Sequence, residues 1–116
     1  MSNYTAKPEP QPTESTGDVW AEIIGQRRVW TILAESFGGS IDGIAARKRV
    51  IGAMEARRNF GIEKYGTPLQ RDNGRDTLND CRDEALDLRA YAHMLPEPKR
   101  AKVVAMADAL LLELWA

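Results

Sequence analysis

Asp80, Glu84, Asp87 and Tyr91 follow one another at intervals of four, three and four residues, the spacing that lines side chains into one stripe along a helix. Two or three carboxylates one turn apart can hold a hard divalent cation such as Mg²⁺, which takes oxygen ligands and presents itself to a substrate phosphate. Glu84 and Asp87 are therefore the candidate catalytic pair, and Asp80, Glu84 and Asp87 the candidate metal ligands. Just upstream, Lys64, Arg71 and Arg75 bracket two turn-forming stretches, with Arg57 and Arg58 before them. Guanidinium forks, backbone N–H groups and the N-terminus of a following helix all suit a phosphate, and Tyr65 can stack on a base. Arg57, Lys64, Tyr65, Arg71 and Arg75 form the candidate substrate- or phosphate-binding set.

Plain structural readings stand beside these. Arg82, Arg89 and their acidic neighbours can form ordinary exposed pairs, each worth about 0.2–0.5 kcal/mol. Tyr65-Gly66 can be a core plug followed by a helix C-cap, and Arg75-Asp76 a capping pair. Glu84 lies roughly 70° from the centre of its helix's apolar stripe, at the edge of the face expected to be buried. A partly buried carboxylate there needs a partner.

The elements that must position these residues are all helical. Residues Met1 to Gly17, with Pro8, Pro10 and Pro12 among polar residues, hold little that a core can use and read as a flexible tail. Asp18 stands as an N-cap before Val19, Trp20, Ile23, Ile24, Trp30, Leu33 and Phe37, and Gly38-Gly39 ends that first helix. Ser40 or Asp42 opens a second, with Ile44, Ile51 and Met54 on its apolar side, ending near Phe60-Gly61 or shortly after. Tyr65-Gly66-Thr67-Pro68 and Asp72-Asn73-Gly74 are turn formers and predict a structured loop.

Asp76 or Thr77 then begins a third helix with the apolar stripe Leu78, Cys81, Ala85, Leu88, Ala92 and Leu95. Pro96 and Pro98 separate it from a fourth, Lys99 to Trp115, with Val103, Ala107, Leu110, Leu111 and Leu114 on its apolar side. No window alternates with period two, so no strand is expected. The expected fold is all-α: about four helices in a small bundle spanning residues 18–116, completed by homo-oligomerisation through the apolar last helix.

Composition narrows the function. Sixteen Lys and Arg against 17 Asp and Glu leave a net charge of −1, which offers no general attraction to long nucleic acid or an anionic membrane. The lone Cys81 allows no internal disulfide and reads as a small core residue, while His93 has no second ligand at metal-binding spacing. The stretch Val103 to Trp115 carries Asp108 and Glu113 and is too short to span a bilayer. A cytoplasmic location is the expectation, and Trp20, Trp30 and Trp115 are expected in the core or an oligomer interface.

The run Lys64-Tyr65-Gly66-Thr67-Pro68-Leu69-Gln70, then Asn73-Gly74-Arg75-Asp76, then Glu84-Ala85-Leu86-Asp87-Leu88 with Tyr91, resembles a group of short bacteriophage proteins over about Val50 to Leu95. More remotely, the helix is similar to the MazG-like all-α nucleoside triphosphate pyrophosphohydrolases through Glu84-x-x-Asp87. That resemblance implies a nucleotide substrate, Mg²⁺ as cofactor, an oligomer of helices and, for a phage protein, the bacterial host cytoplasm. The Glu-Glu-x-x-Glu half of the MazG-like metal motif has no counterpart, since the nearest upstream acids, Glu55 and Glu63, lack its spacing.

Three functions are thus expected in turn. The first is a MazG-like, Mg²⁺-dependent pyrophosphohydrolase or a degenerate relative. The second is a non-catalytic protein that sequesters a nucleotide or nucleotide-derived immune signal. The third is a helical adaptor that binds another protein through its aromatic first and apolar last helices.

Overall fold

The computed structural model describes residues 17–116, so the expected tail falls outside the described residues except for Gly17. Four helices follow in order: α1 (Val19–Ser36), α2 (Ile41–Tyr65), α3 (Thr77–His93) and α4 (Lys99–Trp115). The described residues contain no strand, only an isolated antiparallel bridge between Asp18 and Gln70. The fold is all-α, as the hydrophobic periodicity predicts. The chain divides into two compact units, whose described parts are residues 17–74 and 75–116. Each is a helical pair.

In the first unit, Asp18 caps α1 by accepting the Ala21 N–H at 3.0 Å, and Ser40 caps α2 by accepting the Gly43 N–H at 3.1 Å. Between them the chain reverses at Phe37 to Ser40. Gly38 takes φ +78°, and a Cβ on Gly39 would lie 2.8 Å from the Ala34 carbonyl oxygen, so both glycines are required by the tightness of the turn. The helices run antiparallel: Arg28 pairs with Glu55 at 2.8 Å and Glu35 with Lys48 at 3.0 Å, in opposite order along the two elements. Ile24, Thr31 and Ile51 are buried between them, and the Thr31 hydroxyl donates to the Arg27 carbonyl within its own helix.

Helix α2 runs past Phe60-Gly61 to Tyr65, where Gly66 at φ +77° supplies the left-handed C-cap and donates its N–H to Ile62. Gly61 sits inside the helix because nothing there demands a positive φ, whereas Gly66 leads directly into the Thr67-Pro68 turn.

In the second unit, Asp76 caps α3 through the Asn79 N–H. The stripe that meets α4 is Arg82, Ala85, Arg89 and Ala92, with Ala107 opposite. Arg82 Nε donates to the Leu114 carbonyl at 2.8 Å, and Arg89 Nε to Asp108 at 2.7 Å. This corrects the expected stripe by about one residue. Ala85 and Ala92 are buried as expected, but Cys81 is an exposed thiol and Leu78 and Leu88 are half exposed. Small alanines let the two backbones approach closely, and the arginines lay their stems along the contact while their heads bond to α4. Trp30 and Trp115 lie outside the core, each about half exposed in the single chain, with Trp115 under the Arg82 guanidinium at 5.0 Å.

Candidate functional site

The loop between α2 and α3 is held against the start of α1. Val19 N–H donates to the Leu69 carbonyl at 3.0 Å and Arg71 N–H to the Gly17 carbonyl at 3.1 Å. Between these bonds Gln70 is buried, its amide donating to the Thr67 hydroxyl at 3.1 Å and the Pro68 carbonyl at 3.3 Å. Gly66 as C-cap, Thr67 and Pro68 as acceptors and Gln70 as buried plug account for much of the Lys64–Gln70 run by architecture alone.

The expected phosphate-binding residues fall in both units. Arg57, Lys64, Tyr65 and Arg71 belong to the first; Arg75 belongs to the second, with Asp80, Glu84 and Asp87. Their partners differ. Arg71 pairs with Glu22 on α1. Arg75 Nε bonds Asp80 at 2.7 Å, so an expected phosphate ligand and an expected metal ligand neutralise one another. Arg75 is accordingly the least exposed of the loop's cations.

At the C-terminal end of α2 the arrangement is different. Arg57 lies over the Phe60 ring at 5.4 Å, and Lys64 lies 6.0 Å from the Phe60 ring centre and 5.3 Å from that of Tyr65. The 57, 60, 64 spacing places these groups on one helix face. Both rings are about half exposed, and neither cation forms an ion pair with a carboxylate among the described residues. Phe60 is the participant that sequence reasoning missed. Its position three residues after Arg57 and four before Lys64 was the available signal.

On α3, the carboxyl of Glu84 is held above its ordinary proton affinity, first by partial desolvation and then by the negative charge of Asp87 one turn on. By relative surface Glu84 is exposed, beside the buried Ala85, and the α3 contact stripe is turned from it toward Arg82 and Arg89. Among the described residues, no group of three or more His, Cys, Asp or Glu is placed to hold a metal ion. Asp80, half-buried against Arg75, is oriented by that guanidinium.

Two clefts line the α1–α2 pair. One of about 180 Å³ lies among Arg27, Thr31, Ala46, Arg47 and Val50, and one of about 170 Å³ among Ala21, Ile24, Arg28, Glu55, Arg58 and Asn59. Both are smaller than the roughly 300 Å³ at which drug-sized ligand pockets begin, and neither includes an expected site residue. No helix among the described residues is long and apolar enough to cross a membrane. Compared with protein-family models, curated proteins and solved structures, the chain matches none.

Proposed function

We propose that this is a nucleotide-directed binding protein that grips its ligand without a metal, at the C-terminal end of α2. The observation that carries this reading is the Arg57, Phe60, Lys64 and Tyr65 cluster, with two cations lying over two half-exposed rings. A base can stack on an exposed ring, an interaction worth about 1–3 kcal/mol per base, while the cations answer the phosphate. Lys64 also offsets the negative end of the α2 dipole, which would otherwise oppose an anion there. Binding of this kind releases the ligand intact, which fits sequestration of a nucleotide or nucleotide-derived signal. Calorimetry with mono-, di- and cyclic nucleotides in EDTA should give heat that Lys64→Glu and Tyr65→Ala abolish and Glu84→Ala leaves unchanged. An absence of heat across that panel would remove the proposal.

A second reading is a Mg²⁺-dependent nucleoside triphosphate pyrophosphohydrolase, favoured by Glu84 and Asp87. Glu84, whose ionisation is made costlier by the neighbouring Asp87 charge, makes with Asp87 the kind of carboxylate pair a divalent cation neutralises. Glu84 and Asp87 would hold the ion, which would supply charge neutralisation at the phosphates. Further acidic ligands would have to come from outside this pair. The reading predicts Mg²⁺-dependent pyrophosphate release that is lost in Glu84→Gln; no release at high protein concentration over NTPs and dNTPs would dismiss it.

A further inference from the structure

Helix α1 carries two apolar stripes. One, Trp20, Ile24 and Thr31, turns toward α2, and Ile24 and Thr31 are buried there. The other, Val19, Ile23, Gln26, Trp30, Leu33 and Phe37, steps by four, three, four, three and four residues. This is the spacing of an a/d seam in a coiled coil. Its centre lies roughly 110° round the helix from the first stripe. Toward the hairpin turn the second stripe is uncovered: Trp30 is 55%, Leu33 41% and Phe37 84% exposed, with Val29 at 57% beside it and Ile41 at 85% at the start of α2.

We infer that a second copy of this chain covers this stripe, α1 against α1, in a two-fold symmetric dimer. Periodicity argues for a helix as the occupant, because a seam of period three and four is filled by a helix with the same repeat. The area argues for a matching copy. Complete coverage of those five residues would remove roughly 600 Å² of surface per copy and about 1,200 Å² for a pair, the lower end of the range of specific interfaces. A two-fold axis lets the same patch serve both partners, so α1 together with Phe37 and Ile41 at the hairpin turn supplies both sides. The inference does not depend on the ligand-binding reading.

Sedimentation equilibrium of the full chain over a range of concentrations tests it. The expected mass is twice 12.9 kDa. Leu33→Glu, which seats an unpaired carboxylate in the seam, should raise the dimer dissociation constant at least about 100-fold while helical circular dichroism is kept. If Leu33→Glu loses its helix, Phe37→Glu decides, since Phe37 lies beyond the last residue of α1 and is mostly exposed. A wild-type mass of 12.9 kDa at every concentration overturns the inference, whether the rest of the chain or another protein covers the stripe. A folded Phe37→Glu or Leu33→Glu chain that dimerises as tightly as wild type overturns it equally.

Discussion

Asp18 and Arg58, forty residues apart, form a forked ion pair in which Arg58 Nε and Nη2 both donate to Asp18 Oδ2, at 2.9 and 2.7 Å. The other Asp18 oxygen accepts the Ala21 N–H. One carboxylate therefore caps α1 and ties it to α2.

The hydrogen bond from Arg58 is the main reason the Asp18 carboxyl is held below its ordinary proton affinity, with the Ala21 N–H adding to it and desolvation opposing it. A depressed carboxyl contributes stability above its unfolded-state value, and loses it as pH falls through the folded value. Stability of wild type should therefore fall on acidification more steeply than that of Asp18→Asn. Asp18→Ala should lose about 1–2 kcal/mol at neutral pH through the missing cap. Urea unfolding at a series of pH values checks both; parallel curves for wild type and Asp18→Asn would contradict the assignment.

Glu84 behaves in the opposite sense. Its raised proton affinity means that ionisation burdens the folded state, so its penalty is absent below the unfolded-state value and grows as pH rises through the folded one. Asp87→Asn should move the Glu84 titration back toward the ordinary value without restoring it fully, because desolvation is the larger cause. Carboxyl NMR titration of both proteins reads this directly. No movement would show that the Asp87 charge is screened from Glu84.

Gln70 is 5% exposed and anchors the loop through Thr67 and Pro68. Gln70→Ala should cost about 1–3 kcal/mol, since the part-buried Thr67 and Pro68 acceptors lose their donor and the plug is removed. Hydrogen exchange should quicken first at the Val19 and Arg71 amides, whose partners are Leu69 and Gly17. Unchanged protection there would mean that the loop holds without its plug.

Ala92 and Ala107 are each 1% exposed, on α3 and α4. Ala92→Leu should destabilise the second unit by about 1–3 kcal/mol, because a close helix contact cannot admit three more carbons without displacement. Leu88→Ala, at a half-exposed position, should cost less. Thermal unfolding of the two variants compares them, and the reverse order would place the contact stripe back on Leu88.

The helices, their caps and their turns were legible in the sequence because they depend on neighbours a few residues away. Asp18, Ser40 and Asp76 cap the helices they precede, and Gly38-Gly39 ends α1 where a positive φ is needed. The end of α2 was less legible, since Gly61 and Gly66 look alike locally and only the turn after Gly66 distinguishes them. Tertiary structure decided which face of each helix is used. A stripe with Cys81 and Leu88 was the more apolar choice for α3, yet packing chose Arg82 and Arg89, whose guanidiniums reach acceptors on α4. It also decided which cations are spent. Arg71 reads the same as Lys64 in sequence, but Glu22, 49 residues away, neutralises it, whereas Arg75 meets Asp80, and Arg57 and Lys64 meet their rings, within a few residues along the chain. Local sequence carries propensity and capping; the pairing of charges across tens of residues depends on distances that only the folded chain creates.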